Sequence, residues 1–285
     1  MLKHHGRFPY SAISERQDFN WPGDKKLAVY VALNLEHFSY GEGLGAQLAA
    51  AGQPDVLNYS WREYGNRVGA WRMLSLFEQL QMPASVLINT ALYEHCPQLI
   101  TAASQAGHEI VAHGYANAFT QQKMSAAEEK QMIVEVTNTI EKYDGKKPNG
   151  WLSPWIAQTD ATIDILSEQG YKYTLDWCHD DQPGWLQTRT GKPILSIPYP
   201  QEINDIPAII GRHIEASTFA DMIIDQFEEM LEQSEKQSLV MGIGLHPYIT
   251  GQPFRLRQLR RALLHITDRK NKIWLCTAGD IADIF

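Results

Sequence analysis

The stretch Leu27–Leu35, LAVYVALNL, decides the fold, and it runs directly into Glu36 and His37. Short runs in which apolar residues follow one another almost without interruption are typical of buried strands. Two further runs are of the same kind, EIVA at Glu109–Ala112 and LVMGIGL at Leu239–Leu245. Each of the three predicts a strand of a buried sheet.

All three runs end in a side chain that can take part in catalysis. Glu36 and His37 follow the first run, His113 follows the second, and His246 follows the third. Where strands alternate with helices, the loops at the carboxyl ends of parallel strands form the active face. We therefore expect one carboxylate and two or three imidazoles to meet there, and we interpret the chain as an enzyme.

The composition and the net charge argue against two classes of binding partner. The 285 residues are 44% hydrophobic and 20% charged, which is ordinary for a globular protein. The net charge is −8, and no basic stripe is present, which argues against nucleic acid and against anionic membranes as partners. No apolar run approaches the length of a membrane span. A small-molecule substrate remains the expected partner.

Cysteine usage bears on the compartment. Cys96, Cys178 and Cys276 are scattered and form no CxxC pair, which argues against a thiolate zinc site. Free thiols are typical of a reducing compartment. The polar N-terminal stretch has no apolar region of a secretory signal, so we expect a cytoplasmic protein.

Strand and helix signals alternate along the rest of the chain. Further strands are predicted over 84–89, 173–176, 194–198 and 273–276, a short strand or turn over 151–154, and a final turn over 280–285. Helices are predicted over 67–80, 97–106, 125–143, 160–169, 217–234 and 254–268. This order predicts an α/β fold, a distorted (β/α) barrel of about seven strands. We expect one domain over 1–285, with residues 1–24 wrapping around it, and a long loop over 39–59. An open doubly wound sheet is the alternative, without a GxGxxG motif or P-loop to support it.

Glu36, His113 and His246 each have more than one interpretation. Glu36 is either a general base that activates water or a carboxylate paired with an arginine. His113, followed by the flexible Gly114, is a metal ligand, an acid or an orienting group. His246 is either a general acid or a core histidine with its hydrogen bonds satisfied.

Other polar and aromatic residues are candidates for substrate binding. Asn204 and Asp205 follow a predicted strand, and they either bind an amide or hydroxyl group of a substrate or cap turns. Trp155 belongs to a group of tryptophans in the middle third of the chain, which either lines a cleft or packs in the core.

Taken together, several motifs carry a family resemblance over nearly the whole chain. They are Asn34-Leu35-Glu36, YGNRVGAWR at 64–72, GHEI at 107–110 leading to His113-Gly114-Tyr115, Gly150-Trp151, DDQP at 180–183, Ile197-Pro198-Tyr199 with Asn204-Asp205, and GLH at 244–246 followed by GQP at 251–253. The chain resembles the polysaccharide deacetylase (NodB-homology) superfamily. Within it, the chain resembles the cytoplasmic, allantoinase-like branch of cyclic-amide hydrolases.

The resemblance implies a distorted barrel that hydrolyses a C–N bond other than a peptide bond, and a homo-oligomer is plausible for the branch. In the secreted deacetylases, the first motif supplies a catalytic and a metal-binding Asp, and the second supplies two His ligands. Here Glu36 and His37 match the first pair, and His113 matches the first His. Asn117 stands where the second His would be, and the third motif, at 151–154, lacks its arginine.

These departures leave two interpretations of metal use. An amide oxygen is a poor zinc ligand beside imidazole or carboxylate. The site is either metal-free, or it holds zinc weakly near His37 and His113 with help from Glu36. We favour the metal-free site.

The sequence thus predicts a hydrolase of a small cyclic amide or imide, or of an N-acyl group. Glu36 activates water, while His113 and His246 polarise the carbonyl, stabilise the oxyanion and protonate the leaving nitrogen. The expected substrate-binding residues are His37, Asn117, Trp155, Asn204 and Asp205. The alternatives are a metal-dependent polysaccharide deacetylase and a non-catalytic barrel that binds a metabolite.

Overall fold

A computed structural model of the chain, described over residues 4–41 and 45–285, contains a sheet of nine strands. The strands are β1 (Leu27–Leu35), β2 (Ala84–Ile88), β3 (Glu109–Ala112), β4 (Gly150–Trp151), β5 (Tyr173–Thr174), β6 (Gly184–Leu186), β7 (Ile194–Ser196), β8 (Leu239–Leu245) and β9 (Trp274–Leu275). The spatial order is β6-β7-β5-β4-β3-β2-β1-β8, and β9 pairs with the start of β1. All pairs are parallel except β6 with β7, so the predicted α/β barrel of about seven strands is confirmed as a curled, incompletely closed sheet.

Helices follow most strands. They are α1 (Val56–Tyr64), α2 (Ala70–Leu80), α3 (Leu92–His95), α4 (Pro97–Gln105), α5 (Ala126–Asp144), α6 (Thr162–Gln169), α7 (Ala216–Gln233), α8 (Pro247–Thr250), α9 (Pro253–Thr267) and α10 (Ala278–Ile284). None of them, within the described residues, is both long and apolar enough to cross a membrane.

The central strand β1 is buried along its whole length, which explains its apolar sequence. Its residues alternate between two faces, because successive side chains of a strand point in opposite directions. Leu33 and Leu35 pack in the larger cluster with the helices, whereas Tyr30 and Ala32 pack in a second cluster on the other face. Burial on both faces holds the carboxyl end of β1 in a fixed position between β2 and β8.

The predicted helix over 67–80 was too short at its start. Residues 65–69 form a π-helical turn that joins α1 to α2, so helical backbone begins at Val56, inside the predicted loop 39–59. Asp55 caps α1 by accepting a hydrogen bond from the backbone N–H of Asn58. Residues 42–44 of that loop lie outside the described residues, as do residues 1–3 of the predicted N-terminal segment.

Two other elements differ from the prediction. The antiparallel strand β6 was missed, because it is only three residues long and begins with Gly184 directly after Pro183. The chain ends in a helix rather than a turn, since Thr277 and Asp280 form a reciprocal capping box at the start of α10.

Residues 199–205, which follow β7 in the chain and contact the open edge of β8, are called the seam segment. Its backbone reaches β8 at one place, where the N–H of Gly244 donates to the carbonyl of Ile203 at 2.9 Å and Asn204 forms a parallel bridge with Gly244. The seam segment therefore nearly closes the barrel, and it brings Asn204 and Asp205 beside the end of β8.

Candidate active site

Glu36 lies between two imidazoles at the carboxyl ends of three strands. Its Oε1 is 3.5 Å from Nε2 of His113, beyond β3, and 3.7 Å from Nε2 of His246, beyond β8. The three residues are at most 6% exposed. The hydroxyl of Tyr248 donates to the other carboxylate oxygen of Glu36 at 3.3 Å. The structure thus brings together the three residues predicted to be catalytic.

Backbone groups hold His113. Its Nδ1 lies 2.8 Å from the carbonyl oxygen of Leu152, so that nitrogen carries a hydrogen and donates it. The side-chain amide of Asn89 donates to the carbonyl of His113. Gly114 follows with a φ of +69°, and a Cβ there would lie 2.7 Å from Cγ of Pro154. The Nε2 of His113 is therefore the atom that faces Glu36.

A carboxylate holds His246. Oδ1 of Asp205 lies 2.6 Å from Nδ1 of His246, and Oδ2 accepts the backbone N–H of the same residue at 2.8 Å. Thr250 also donates to Oδ2, at 2.9 Å. Burial alone would lower the pKa of His246, but the charges of Asp205 and Glu36 outweigh it, and the net effect raises the pKa. This arrangement favours the protonated imidazolium.

Glu36, His113 and His246 line a cavity of about 100 Å³. Three of the predicted substrate-binding residues, Asn117, Trp155 and Asn204, also line it. Asn117 is 2% exposed, and its Oδ1 has no hydrogen-bond partner among the described residues. A buried carbonyl oxygen of this kind can accept an N–H from a bound molecule.

Trp155 forms one wall of the cavity in an unusual backbone conformation. Its φ is +61°, and that of the next residue, Ile156, is +53°. Two consecutive residues other than glycine in the left-handed region are costly, and such conformations concentrate at functional sites. Trp155 is 40% exposed, so part of its ring reaches solvent at the edge of the cavity.

A second buried carboxylate supports Ser153, a residue of the cavity wall. Asp176 accepts hydrogen bonds from the backbone N–H and the hydroxyl of Ser153, both at 2.7 Å. Burial raises the pKa of Asp176 to about 6. Ser153 lines the cavity, so Asp176 acts on the site through Ser153.

The remaining two predicted substrate-binding residues do not line the cavity. Asp205 is fully buried behind His246. His37 is half-buried and instead forms a group with Glu63 and His95, whose potential ligand atoms lie within 4.8 Å of one another. Among the described residues this is the one such group of three, and His113, the expected companion of His37, is not part of it.

This placement decides whether the metal position of the secreted deacetylases fits this chain. Of the three matching residues, His37 belongs to another cluster and Asn117 offers an amide, which leaves His113 as the one imidazole at that position. The residues at that position do not fit a three-ligand metal site. Three potential ligands nevertheless converge at Glu63, so the expectation of a chain without any metal is not supported.

Two features of the site were missed from the sequence. Tyr248, which contacts Glu36, comes two residues after His246, and its short distance from a candidate acid was the available signal. The contact between Asp205 and His246 joins residues that are 41 positions apart in the sequence, and no local sequence pattern predicts it.

Comparisons with known proteins show which families and folds the chain is similar to. The polysaccharide deacetylase family matches residues 63–174. A crystal structure of PuuE allantoinase is 28% identical, with a TM-score of 0.86 over 97% of this chain and 96% of that chain. A Schizosaccharomyces pombe protein named "Putative polysaccharide deacetylase" is 27% identical over 92% of this chain and 91% of its own length. The peptidoglycan deacetylase of Helicobacter pylori is 24% identical over 78% of this chain and 85% of its own length.

By these matches the chain is similar to the polysaccharide deacetylase (NodB-homology) superfamily. It is a hydrolase that acts on carbon–nitrogen bonds other than peptide bonds.

Proposed function

We propose that the chain opens a small cyclic amide or imide by hydrolysis, with Glu36 as the general base. The observation that carries this proposal is the position of Glu36 between two buried imidazoles in a cavity of about 100 Å³. A cavity of this order has room for a single small ring. Similarity to an allantoinase over nearly the full length of both chains supports the same class.

Glu36 takes a proton from water as that water attacks the carbonyl carbon. The carboxylate accepts one hydrogen bond from Tyr248, which leaves Oε1 to face the two histidines and the cavity. Burial raises the pKa of Tyr248 well above its usual value, so its hydroxyl stays a donor. His113 bonds the carbonyl of Leu152 through Nδ1, and its Nε2 orients the water beside Glu36.

His246 serves as the general acid. Its contact with Asp205 keeps the ring protonated and fixes its orientation. The imidazolium first stabilises the negative charge that develops on the carbonyl oxygen, and then donates its Nε2 proton to the leaving nitrogen. Asp205 thus positions His246 rather than the substrate, which differs from its expected role.

The cavity walls select the substrate. The unpartnered Oδ1 of Asn117 accepts an N–H of the ring. Asn204, whose amide donates to Tyr199 and to the carbonyl of Pro200, also borders the cavity. The face of Trp155 packs on the ring, because an aromatic side chain adds contact area without a competing charge.

A substrate panel tests the proposal. Purified protein is assayed with allantoin, hydantoin and succinimide, with the open-chain amides of similar size, and with oligomers of N-acetylglucosamine. We expect turnover of at least one cyclic compound, and a rate about 10²–10⁴-fold lower with the Glu36→Gln variant. Turnover of open-chain amides alone would contradict the cyclic class.

An N-acylated sugar is the second candidate, because one relative is named a peptidoglycan deacetylase. Release of acetate from the oligomers, without turnover of any ring, would establish it. We also propose a cytoplasmic location, which is supported by three cysteines, Cys96, Cys178 and Cys276, that are free. Fractionation of the cells that produce the protein tests this.

A further inference from the structure

Three side chains outside the cavity converge on one point. His37 follows β1, Glu63 is in the last turn of α1, and His95 ends α3. Nε2 of His95 lies 2.9 Å from Oε1 of Glu63, and the ring centroids of His37 and His95 are 4.6 Å apart. One potential ligand atom from each residue lies within 4.8 Å of the other two.

We propose that His37, Glu63 and His95 bind a divalent transition metal of the zinc class, at a site separate from the catalytic cavity. Two imidazoles and one carboxylate suit zinc, whereas magnesium and calcium prefer ligand sets made of oxygen atoms. Ligands of a tetrahedral zinc lie about 3.5 Å apart, so a small inward movement of these side chains completes the site.

An unsatisfied nitrogen supports the site independently. Nδ1 of His37 is buried and has no hydrogen-bond partner among the described residues. A buried polar atom without a partner is costly and needs an explanation in a native fold. A metal ion bound through Nδ1 of His37 would give this nitrogen the partner that it lacks.

Exposure provides a route of entry. Glu63 is 7% exposed, whereas His95 reaches solvent. A metal can therefore arrive from solvent through His95, and a water molecule can complete its coordination on that side.

Arg67 does not block the site. Its Nε contacts Oε2 of Glu63 at 3.2 Å, while Oε1 is the oxygen beside His95. The side chain of Arg67 is 74% exposed and free to move. An arginine on the outer oxygen orients the carboxylate, as second-layer partners of metal ligands commonly do.

A bound metal would connect three segments, because its ligands come from the ends of β1, α1 and α3. A ligand that binds only the folded state stabilises that state. We therefore expect zinc to raise the melting temperature of the chain.

The chain offers a matched control. His265 lies 2.5 Å from Oε1 of Glu228, and Arg269 contacts the same carboxylate at 3.0 Å. This trio repeats the His–Glu–Arg arrangement of His95, but it is not part of any group of three potential ligands within the described residues. His265→Ala therefore removes a similar ion pair without touching the proposed site.

The test is a zinc titration of the full-length, chelator-treated protein by calorimetry. All proteins carry His4→Gln and His5→Gln, because this adjacent exposed pair could bind zinc by itself. We expect one equivalent of zinc to bind to the parent and to His265→Ala. In His95→Ala the affinity should fall more than ~100-fold, beyond the loss typical of second-layer changes.

A melting curve with and without zinc gives a second readout. Zinc should raise the melting temperature of the parent and of His265→Ala, but not of His95→Ala or Glu63→Gln. Absence of stoichiometric binding to the parent would overturn the site, and so would equal zinc affinity in His95→Ala and His265→Ala. Neither outcome depends on which substrate the cavity takes.

Discussion

The two histidines beside Glu36 are held in different ways. At the end of β3, backbone groups position His113: the carbonyl of Leu152 accepts from its ring, and Gly114 turns the chain beneath it. At the end of β8, the carboxylate of Asp205 positions His246. A neutral carbonyl orients a ring without charging it, whereas a carboxylate also favours the imidazolium. The comparison teaches that partners of different charge can give two identical side chains different roles.

The largest loss of activity should come from a substitution of Glu36, the residue that lies beside both histidines. Glu36→Gln keeps the size of the side chain but removes the acceptor of the proton from water. General base catalysis contributes about 10²–10⁴-fold, so kcat should fall by that factor, with little change in the melting temperature. Steady-state kinetics beside a thermal melt measure both quantities. A near-normal kcat would remove Glu36 from the mechanism and leave a histidine as the base.

Asp205→Asn should weaken the electrostatic support of His246 at the end of β8. Asp205→Asn removes a charge-assisted hydrogen bond, worth about 1.5–3 kcal/mol, so kcat should fall about 10- to 150-fold. The pKa of His246, which Asp205 helps to raise, should fall. Activity needs the protonated ring, so the alkaline limb of the pH–rate profile should move to lower pH.

Thr250→Val is the control for Asp205→Asn, because it removes another hydrogen bond to the same carboxylate and leaves His246 paired. Its alkaline limb should stay in place. If the limb moves equally in both variants, the effect comes from disturbed packing and not from the charge of Asp205.

Gly114→Ala should disturb the backbone that positions His113 at the end of β3. Gly114→Ala forces alanine into a φ of +69° and places Cβ against Pro154, so stability should fall by about 1–2 kcal/mol from the conformation alone. The displaced His113 should also lower kcat. Gly145→Ala is matched, since its φ is +72° and its Cβ would meet nothing within 4 Å. Denaturant unfolding should show the loss from the backbone conformation in both variants and an additional loss at Gly114 from the contact with Pro154, and kinetics should show a loss of activity only at Gly114.

The smallest effect on the rate should come from metal removal. Because no step that we propose uses a metal, chelation should leave kcat within about threefold of its starting value, whereas loss of a catalytic metal costs several kcal/mol. The melting temperature should fall if the site at His37 is occupied. Activity that vanishes with the chelator and returns with zinc would place a metal in the reaction and overturn the roles assigned to the two histidines.

The meeting of Glu36, His113 and His246 could be predicted because parallel strands bring their carboxyl ends to one edge, and the apolar runs located those ends. The partners of these residues could not be predicted in the same way. Asp205 reaches His246 because the seam segment returns to β8 at Gly244, which no periodicity reveals.

The cluster at His37 escaped prediction for a different reason. Glu63 lies on α1, which begins inside the segment expected to be a loop, and only a helical backbone places Glu63 opposite His95. The family resemblance predicts that His37 and His113 lie beside the same metal. It misplaces His37 because matching motifs give positions along a chain and not the direction of a side chain.

The seam segment has a consequence for how such a hydrolase can change. It carries Asn204 into the cavity wall and Asp205 against His246, and four of its seven residues, Tyr199, Ile203, Asn204 and Asp205, are buried. Buried positions are closely packed and respond to small changes of volume. One short segment therefore borders the proposed substrate and holds the proposed general acid, so adaptation to a new substrate at Asn204 is constrained by the need to keep Asp205 in place.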